Sequence, residues 1–281
     1  MSRDLLHRRR FLTLSLGLGA LLPAGLISPS GSAEAAGEAG QMPQAGEARR
    51  TAYAVDVALL YDALTLQLTG TLEEWLDPGA GRYEVKATGR GRRAHNRLEA
   101  QGQLVGGRWR PVRSASLVDI AGRRTRTEVQ YDYDRRIIHY HYRGETFLLR
   151  RPRAADDRVP IPLGLHVDDL SSAVLNFSED RWPSADGLYR THVVRRQRPE
   201  KEGPDDVSGP YRAELVPIAF RVYPDPETGS PTAFFDISGF TGWAREDRPA
   251  RVVLGADRRP ATIAASLILG TSVTIRLRSV A

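Results

Sequence analysis

The sequence predicts a mainly β protein: a long antiparallel meander curled into a half-barrel or open barrel, with one short helix packed against it. Apolar residues alternate with polar ones through most of the chain after residue 50, which is the period of a half-buried strand. Short turns rich in Gly, Asp and Arg separate these segments, as expected for antiparallel neighbours rather than βαβ units. A sheet of about ten or more strands has to curl to protect its edges, and one helix covers little of it.

The first residues have the features of a twin-arginine export signal. Arg8 and Arg9 precede Phe11 and Leu12 in the order that this signal requires. An apolar stretch of 16 residues, 12–27, follows and is too short for a comfortable membrane span. We therefore expect a periplasmic protein, exported by the twin-arginine translocase and without a stable transmembrane anchor.

A cleavage site made of small residues completes the signal and defines the domain organisation. Ala33 and Ala35 form the A-x-A site at which signal peptidase cuts. The chain then divides into a signal peptide (1–35), a flexible leader rich in Gly, Ala and Glu (36–50) and a single β-rich domain (51–281). The chain has no cysteine, which excludes a lipobox anchor, disulfides and thiolate chemistry.

The first half of the domain is a run of strands joined by tight turns. Asp77-Pro78-Gly79 and Gly106-Gly107 supply the backbone freedom that such turns need. A loop rich in proline and charge is predicted over 151–165. The predicted strands are 53–59, 64–70 continued by 72–76, 82–88, 98–105, 108–120, 123–133, 137–142 and a short one over 145–150.

One helix follows the loop. Asp168-Asp169 can cap it, and Leu170, Ala173, Val174 and Phe177 have the spacing of an apolar face that should lie on the sheet. Beyond the helix, a long exposed loop is expected over 198–210, and turns at 256–259 and Gly270 separate the last three strands. The predicted strands here are 188–197, 211–223, 233–237, 250–254, 261–269 and 272–279.

The charge balance argues against a dedicated nucleic-acid binder. Without residues 1–35, 36 basic and 32 acidic residues remain, which is a mild excess. Almost all of the basic charge is arginine, with runs at 90–93, 123–124 and 195–196. These runs suit either a solvated rim of strands, which we favour, or contact with anionic lipid or polysaccharide.

The best constellation of metal-ligating residues is a pair of histidines on one predicted strand. His139 and His141 point to one face of the strand, about 7 Å apart. Across the turn, Asp132 and Asp134 are candidates to share that face, and such a set suits a divalent metal such as zinc. The surrounding tyrosines favour instead a structural hairpin stabilised by aromatic pairs. P-loop, H-E-x-x-H, G-x-S-x-G and G-x-G-x-x-G patterns are absent, so the sequence predicts no catalytic residue, no cofactor and no assured metal site.

Two further groups have a functional and a structural interpretation. His166 beside Asp168-Asp169 suits acid–base chemistry, but helix capping explains both acids. Trp109, Trp182 and Trp243 suit a sugar-stacking platform, but core or rim positions are favoured. Asp156-Asp157 lies in the predicted charged loop and is expected to be solvated.

The chain resembles DUF3108, an exported bacterial family of unknown function, over roughly residues 50–281. The resemblance rests on Tyr53-Ala54-Val55, Tyr131-Asp132-Tyr133-Asp134, Asp168 to Ala173, Arg251 to Leu254, Arg259 to Thr262, and Gly270. The chain is also similar to DUF1849, an envelope-integrity family with a spiral sheet, although it has none of the cysteines that such proteins often carry. Both families resemble lipoprotein carriers, in which a curved sheet holds acyl chains, and the resemblance implies a periplasmic binding or scaffolding role.

The leading functional hypothesis is a non-enzymatic periplasmic protein that supports the cell envelope. Its curved sheet would bind a lipid, a lipoprotein or a protein partner. One alternative is a metal-dependent hydrolase of envelope glycan built on His139 and His141, and another is a polysaccharide-binding module.

Overall fold

A computed structural model describes residues 47–59, 64–146, 149–182, 184–197, 205–207, 211–226, 228–237, 245, 247–267 and 271–279. The predicted export signal (residues 1–35) and the positions of Trp243 and Gly270 lie outside these residues. One helix is found in this part of the chain, α1 (Leu170–Ser178). The strands are β1 (Glu47–Leu59), β2 (Leu64–Asp77), β3 (Arg82–Arg90), β4 (Ala94–Val105), β5 (Arg108–Ile120), β6 (Arg123–Asp132), β7 (Ile137–Glu145), β8 (Pro152–Pro160), β9 (Ser184–Ala185), β10 (Leu188–Arg196), β11 (Ala213–Pro224), β12 (Pro231–Phe235), β13 (Ala250–Leu254), β14 (Pro260–Ser266) and β15 (Ser272–Ser279).

All of these strands belong to one antiparallel sheet. The 15 strands follow the order β8-β7-β6-β5-β4-β3-β2-β1-β15-β14-β13-β12-β11-β10-β9. Nearly every neighbour in the sheet is also a neighbour in sequence, and the exception is β1, which pairs with β15 along Thr51 to Ala58. The predicted fold class, a mainly β meander curled into an unclosed barrel with one helix, is confirmed.

The two ends of the sheet curl until they face each other. β8 lies beside β11, where the carboxylate of Asp157 accepts a hydrogen bond of 2.9 Å from the Ala213 backbone N–H. After β8 the chain adds a parallel bridge between Val167 and His192 of β10. We call the contact between these two parts of the sheet the β8–β11 seam. Side-chain contacts and this bridge hold it together, in place of a continuous ladder of backbone hydrogen bonds.

Four clusters of buried side chains fill the inner side of the curled sheet. One lies on β1–β3 and β13–β15 around Val55 and Ile275, and another joins the inner faces of β6–β8 to those of β10 and β11. The other two lie on either side of α1, around Leu175 and around Phe177. The helix is therefore inside the curl, where its side chains belong to the core.

The sequence prediction is wrong for the segment between β7 and the helix. We expected a short strand over 145–150 and then a loop, but the strand is β8, Pro152–Pro160, inside the predicted loop. Its side chains alternate, with Arg153, Ala155 and Val159 buried. Two prolines and four charged residues hide this alternation, and an edge strand tolerates them because its prolines stand at its ends.

The beginning of the β-rich domain also differs from the expectation. β1 begins at Glu47, so residues 47–50 of the predicted flexible leader belong to the sheet and pair with β2. Ion pairs from Arg49 and Arg50 to Glu74 and Glu73 stabilise this extension, and polar residues of that kind gave no strand signal.

Candidate functional site

A buried carboxylate whose two oxygens both accept hydrogen bonds lies at the beginning of α1. Asp168 is fully buried, and one of its oxygens accepts hydrogen bonds from Arg108 and from the Thr191 hydroxyl. The other oxygen accepts from the Ser172 hydroxyl at 3.1 Å and from the Asn176 amide at 3.0 Å. We call these five residues the helix anchor.

The helix anchor joins opposite walls of the curled sheet. Arg108 belongs to β5 and Thr191 to β10, and nine strands separate these two in the sheet. The backbone adds to the link, because Asp168 N–H donates to the His192 carbonyl at 2.8 Å. One buried carboxylate thus holds together elements that are distant in the sheet order.

Asn176 extends the anchor by pairing with β5 as a strand residue would. Its side-chain oxygen accepts from the Trp109 N–H at 2.8 Å, and its amide donates to the Trp109 carbonyl at 2.8 Å. β6 pairs with β5 only from Arg113 onward, so the backbone at Trp109 has no β6 partner. The amide satisfies both groups, and buried backbone groups need such partners.

The helix face that meets the sheet differs from the predicted one. Leu170 was expected on the apolar face but is 52% exposed, whereas Ser172, Leu175 and Asn176 are fully buried. The prediction followed the spacing of apolar residues alone. The buried face of the helix differs from the predicted face because polar side chains of the helix anchor occupy part of it. Phe177 was correctly expected to be buried.

The two adjacent acids have different roles, which corrects the expectation that capping explains both. Asp169 is the N-cap and forms a capping box with Ser172. Its second oxygen is buried without a hydrogen-bond partner in the described part of the chain. Burial raises the pKa of Asp169 to about 6, against the hydrogen bonds from Ser172, which lower it. Asp168, by contrast, is the ion-pair partner of Arg108.

Tyrosines and a histidine surround the two acids. Burial, and then the charge of Asp169, raise the pKa values of Tyr83 and Tyr131 well above their usual range. Partial desolvation, and then the charge of Arg108, lower the pKa of His166. The side chain of His166 is exposed, and it makes no hydrogen bond to either acid among the residues that the structure places. No hydrogen bond within the described residues therefore joins the side chains of the acid–base alternative.

The predicted histidine pair lies on the outer face of β7. Tyr140 between the two is buried, and His141 is exposed. The partner of His141 is Asp156 of β8, whose carboxylate lies 2.6 Å from Nδ1. Hydrogen bonds from Arg143 and His141 lower the pKa of Asp156.

The two acids expected beside the histidines are engaged elsewhere or stand apart. Asp132 accepts from the Arg135 N–H at 2.8 Å, and Asp134 lies in the turn after β6. Within the described ranges, no group of three or more His, Asp or Glu is placed to hold a metal ion. The structure therefore brings His139 and His141 onto one face but does not bring Asp132 or Asp134 to them.

The tryptophans that lie in the described residues belong to the core. Trp109 is fully buried, and its indole N–H donates to Glu179 at 3.0 Å. Trp182 is also buried and donates to the Arg190 carbonyl at 2.7 Å. Neither presents a face to a sugar.

A basic pocket opens between two turns at one end of the sheet. It has a volume of about 480 Å³ and is lined by the β3–β4 and β5–β6 turns, including Arg92, Arg93, His95, Asp119 and Gly122. The Ala121 N–H donates to the Arg93 carbonyl at 2.6 Å, which ties the turns together. We call this the turn pocket. The arginine runs were visible in the sequence, but the meeting of the turns was not.

The comparisons with known proteins add a distant structural likeness. No family model and no curated protein sequence matches the chain. The chain is similar to a β-barrel-like protein of the domain of unknown function DUF1849 from Brucella abortus, with a TM-score of 0.38 and 9% sequence identity. The match covers 82% of this chain and 95% of that one. Membership of DUF3108 stays a prediction.

Proposed function

We propose that the protein is a non-enzymatic, periplasmic component of the cell envelope that binds a lipid, a lipoprotein or a protein partner on the outside of its curled sheet. The observation that carries the proposal is the packing of buried side chains on the inner side around α1 in the described residues. Around α1, Trp109, Leu175 and Trp182 occupy the place in which a carrier would hold acyl chains. Binding is therefore assigned to the rim and the outer face.

The charged groups of the interior support a scaffolding role. Asp168 has four hydrogen-bond donors around it and no exposed surface, so a substrate does not reach it. Glu74 is buried as well and is held by Arg259 and Arg49. Such pairs fix the relative positions of strands, and a protein that presents a binding surface needs this rigidity.

The export signal in the sequence supports the periplasmic location. No helix in the described residues is long and apolar enough to cross a membrane. In that location the protein would meet its partner from the periplasmic side.

Native mass spectrometry of protein purified without detergent tests the binding role. We expect a co-purifying lipid or envelope protein at a defined ratio to the chain. The proposal would be contradicted if several preparations contained no co-purifying lipid or protein and the purified protein captured nothing from solubilised envelopes.

Metal analysis tests the enzymatic alternative. We expect zinc well below one equivalent in the purified protein. One equivalent of zinc that disappears in the His139→Ala/His141→Ala variant would favour the hydrolase, since that variant removes both imidazole ligands while leaving the inward Tyr140 in place.

A further inference from the structure

The turns at one end of the sheet form a basic rim. Successive turns of an antiparallel meander alternate between its two ends, so the β3–β4, β5–β6 and β7–β8 turns share one end. Seven arginines that are not buried lie in these turns or at the strand ends beside them, together with two acids, Asp119 and Glu145. We call these the arginine rim: Arg90, Arg92, Arg93, Arg123, Arg124, Arg150 and Arg151.

The rim is structurally ordered by its own contacts. Arg150 donates to the carbonyls of Ala121 and Gly122, both at 2.9 Å, and so links the β7–β8 turn to the β5–β6 turn. Asp119 accepts from the Gly122 N–H at 2.8 Å and from Arg124 at 3.1 Å. The carboxylate that lines the turn pocket is thus already balanced by cationic and N–H donors.

Two arginines of the turn pocket remain available. Arg92 and Arg93 are exposed, and neither side chain makes an ion pair or a hydrogen bond with a residue that the structure describes. His95 lines the same pocket, and its Nε2 is buried without a hydrogen-bond partner in that part of the chain. Guanidinium groups bind phosphate through paired N–H donors, and the pocket is large enough for a phosphate with part of its ester.

We infer that the turn pocket binds the phosphate of an anionic ester through Arg92, Arg93 and His95, and that the source is the headgroup of an anionic phospholipid. The exposed arginines of the rim, Arg90, Arg124, Arg150 and Arg151, lie at the same end of the sheet and strengthen the contact with an anionic surface. This inference rests on the proposed function, because it names the partner that an envelope-binding protein would hold.

Vesicle sedimentation tests the inference with the chain purified after removal of its predicted signal peptide. The probes are phosphatidylcholine vesicles with and without about a quarter of phosphatidylglycerol. We expect binding only to the vesicles that contain phosphatidylglycerol, and about a 10- to 30-fold loss of affinity in Arg92→Gln/Arg93→Gln. The control, Arg82→Gln/Arg135→Gln, removes the same charge from exposed residues at the opposite end of the sheet and should lose less than about threefold.

A second arm separates the two sources of phosphate. The second probe is inorganic phosphate, followed by the backbone NMR signals of Gly91 to His95. If the protein binds neither kind of vesicle, but phosphate shifts these signals saturably and the double variant abolishes the shift, the pocket binds phosphate and the lipid source is wrong. Equal losses in the two double variants, or no response to either probe, would overturn the inference. Arg92→Lys/Arg93→Lys keeps the charge but not the paired N–H donors, so it should recover only part of the vesicle binding. Unchanged circular dichroism shows that the variants are folded.

The inference and the proposed function fail differently. If wild type and Arg92→Gln/Arg93→Gln capture the same envelope protein or lipid equally well, the proposed function stands and the pocket assignment is wrong. If wild type captures nothing from solubilised envelopes, both are wrong.

Discussion

At the scale of single residues, two adjacent acids at the start of the helix have different roles. Asp168 and Asp169 look equivalent as helix caps, yet one is a buried ion-pair partner of Arg108 and the other is the cap. The sequence indicates that acids belong here, because a helix begins there. It does not indicate Arg108 or Thr191, since these come from strands that folding alone brings together.

Asp168→Asn should destabilise the fold strongly. The variant leaves Arg108 as an uncompensated charge in the interior, which costs about 3–5 kcal/mol. Urea denaturation at neutral pH measures the loss. The control is Asp180→Asn, which removes an acid that is 75% exposed and pairs with Arg258, and it should cost about 1 kcal/mol or less. A loss below about 1 kcal/mol for Asp168→Asn would show that the anchor contributes little.

Asp169 should make the stability depend on pH. Its pKa rises from 3.8 to about 6 in the folded protein, so between these values the folded protein keeps a proton that the unfolded chain has released. The stabilisation by the protonated form is full below about pH 4 and is lost as the pH rises through about 6, by about 3 kcal/mol at most.

The measurement compares urea denaturation of wild type and Asp169→Asn at pH 4.5 and pH 7. Asparagine keeps the capping oxygen but does not titrate, so the difference between the two proteins isolates the contribution of Asp169. We expect wild type to lose stability relative to the variant between the two pH values. Parallel profiles would show that the pKa of Asp169 is not raised.

At the scale of elements, the helix shows what apolar spacing leaves out. Its existence and position were predicted from Asp169 and the spacing of Phe177, and both are confirmed in the structure. Its buried face was predicted wrongly, because Asn176 and Ser172 are inside and Leu170 is outside. Periodicity counts apolar residues, and it has no means to register a polar side chain whose partners lie on distant strands.

Asn176→Ala tests the helix contact with β5. The variant removes two hydrogen bonds to Trp109 and one to Asp168 and leaves a buried N–H and carbonyl unpaired, which should cost about 3 kcal/mol. Hydrogen exchange of the Trp109 amide should accelerate more than the loss of stability explains. Ser178→Ala is the control within the same helix, because it removes only a local bond to Leu175. An unchanged protection of the Trp109 amide would contradict the pairing.

Asp157→Ala tests the β8–β11 seam. The variant removes the acceptor for the Ala213 N–H, so we expect a loss of about 1 kcal/mol and faster exchange of that amide. Asp156→Ala is the matched control, since Asp156 is the adjacent residue and its pairs with His141 and Arg143 are exposed. Faster exchange at Ala213 in both variants, or in neither, would show that Asp157 does not hold the seam.

At the scale of the whole molecule, the fold class followed from the sequence and the position of the turn pocket did not. Alternation and short turns predict a long meander, and β5, β13 and β15 have the predicted bounds. β8 was missed because charged residues and prolines conceal its alternation. The turn pocket was missed because its two turns are about 30 residues apart in sequence and meet only when the strands pair.

Photo-crosslinking in living cells tests the central claim, that a partner in the envelope meets the protein at the arginine rim of its curled sheet. A photoreactive residue replaces Arg90, at the arginine rim, or Val105, which is 41% exposed at the opposite end. The account predicts a discrete adduct with an envelope lipid or protein from position 90 and little from position 105. Adducts confined to position 105, or none from either position in cells that export the protein, would contradict it.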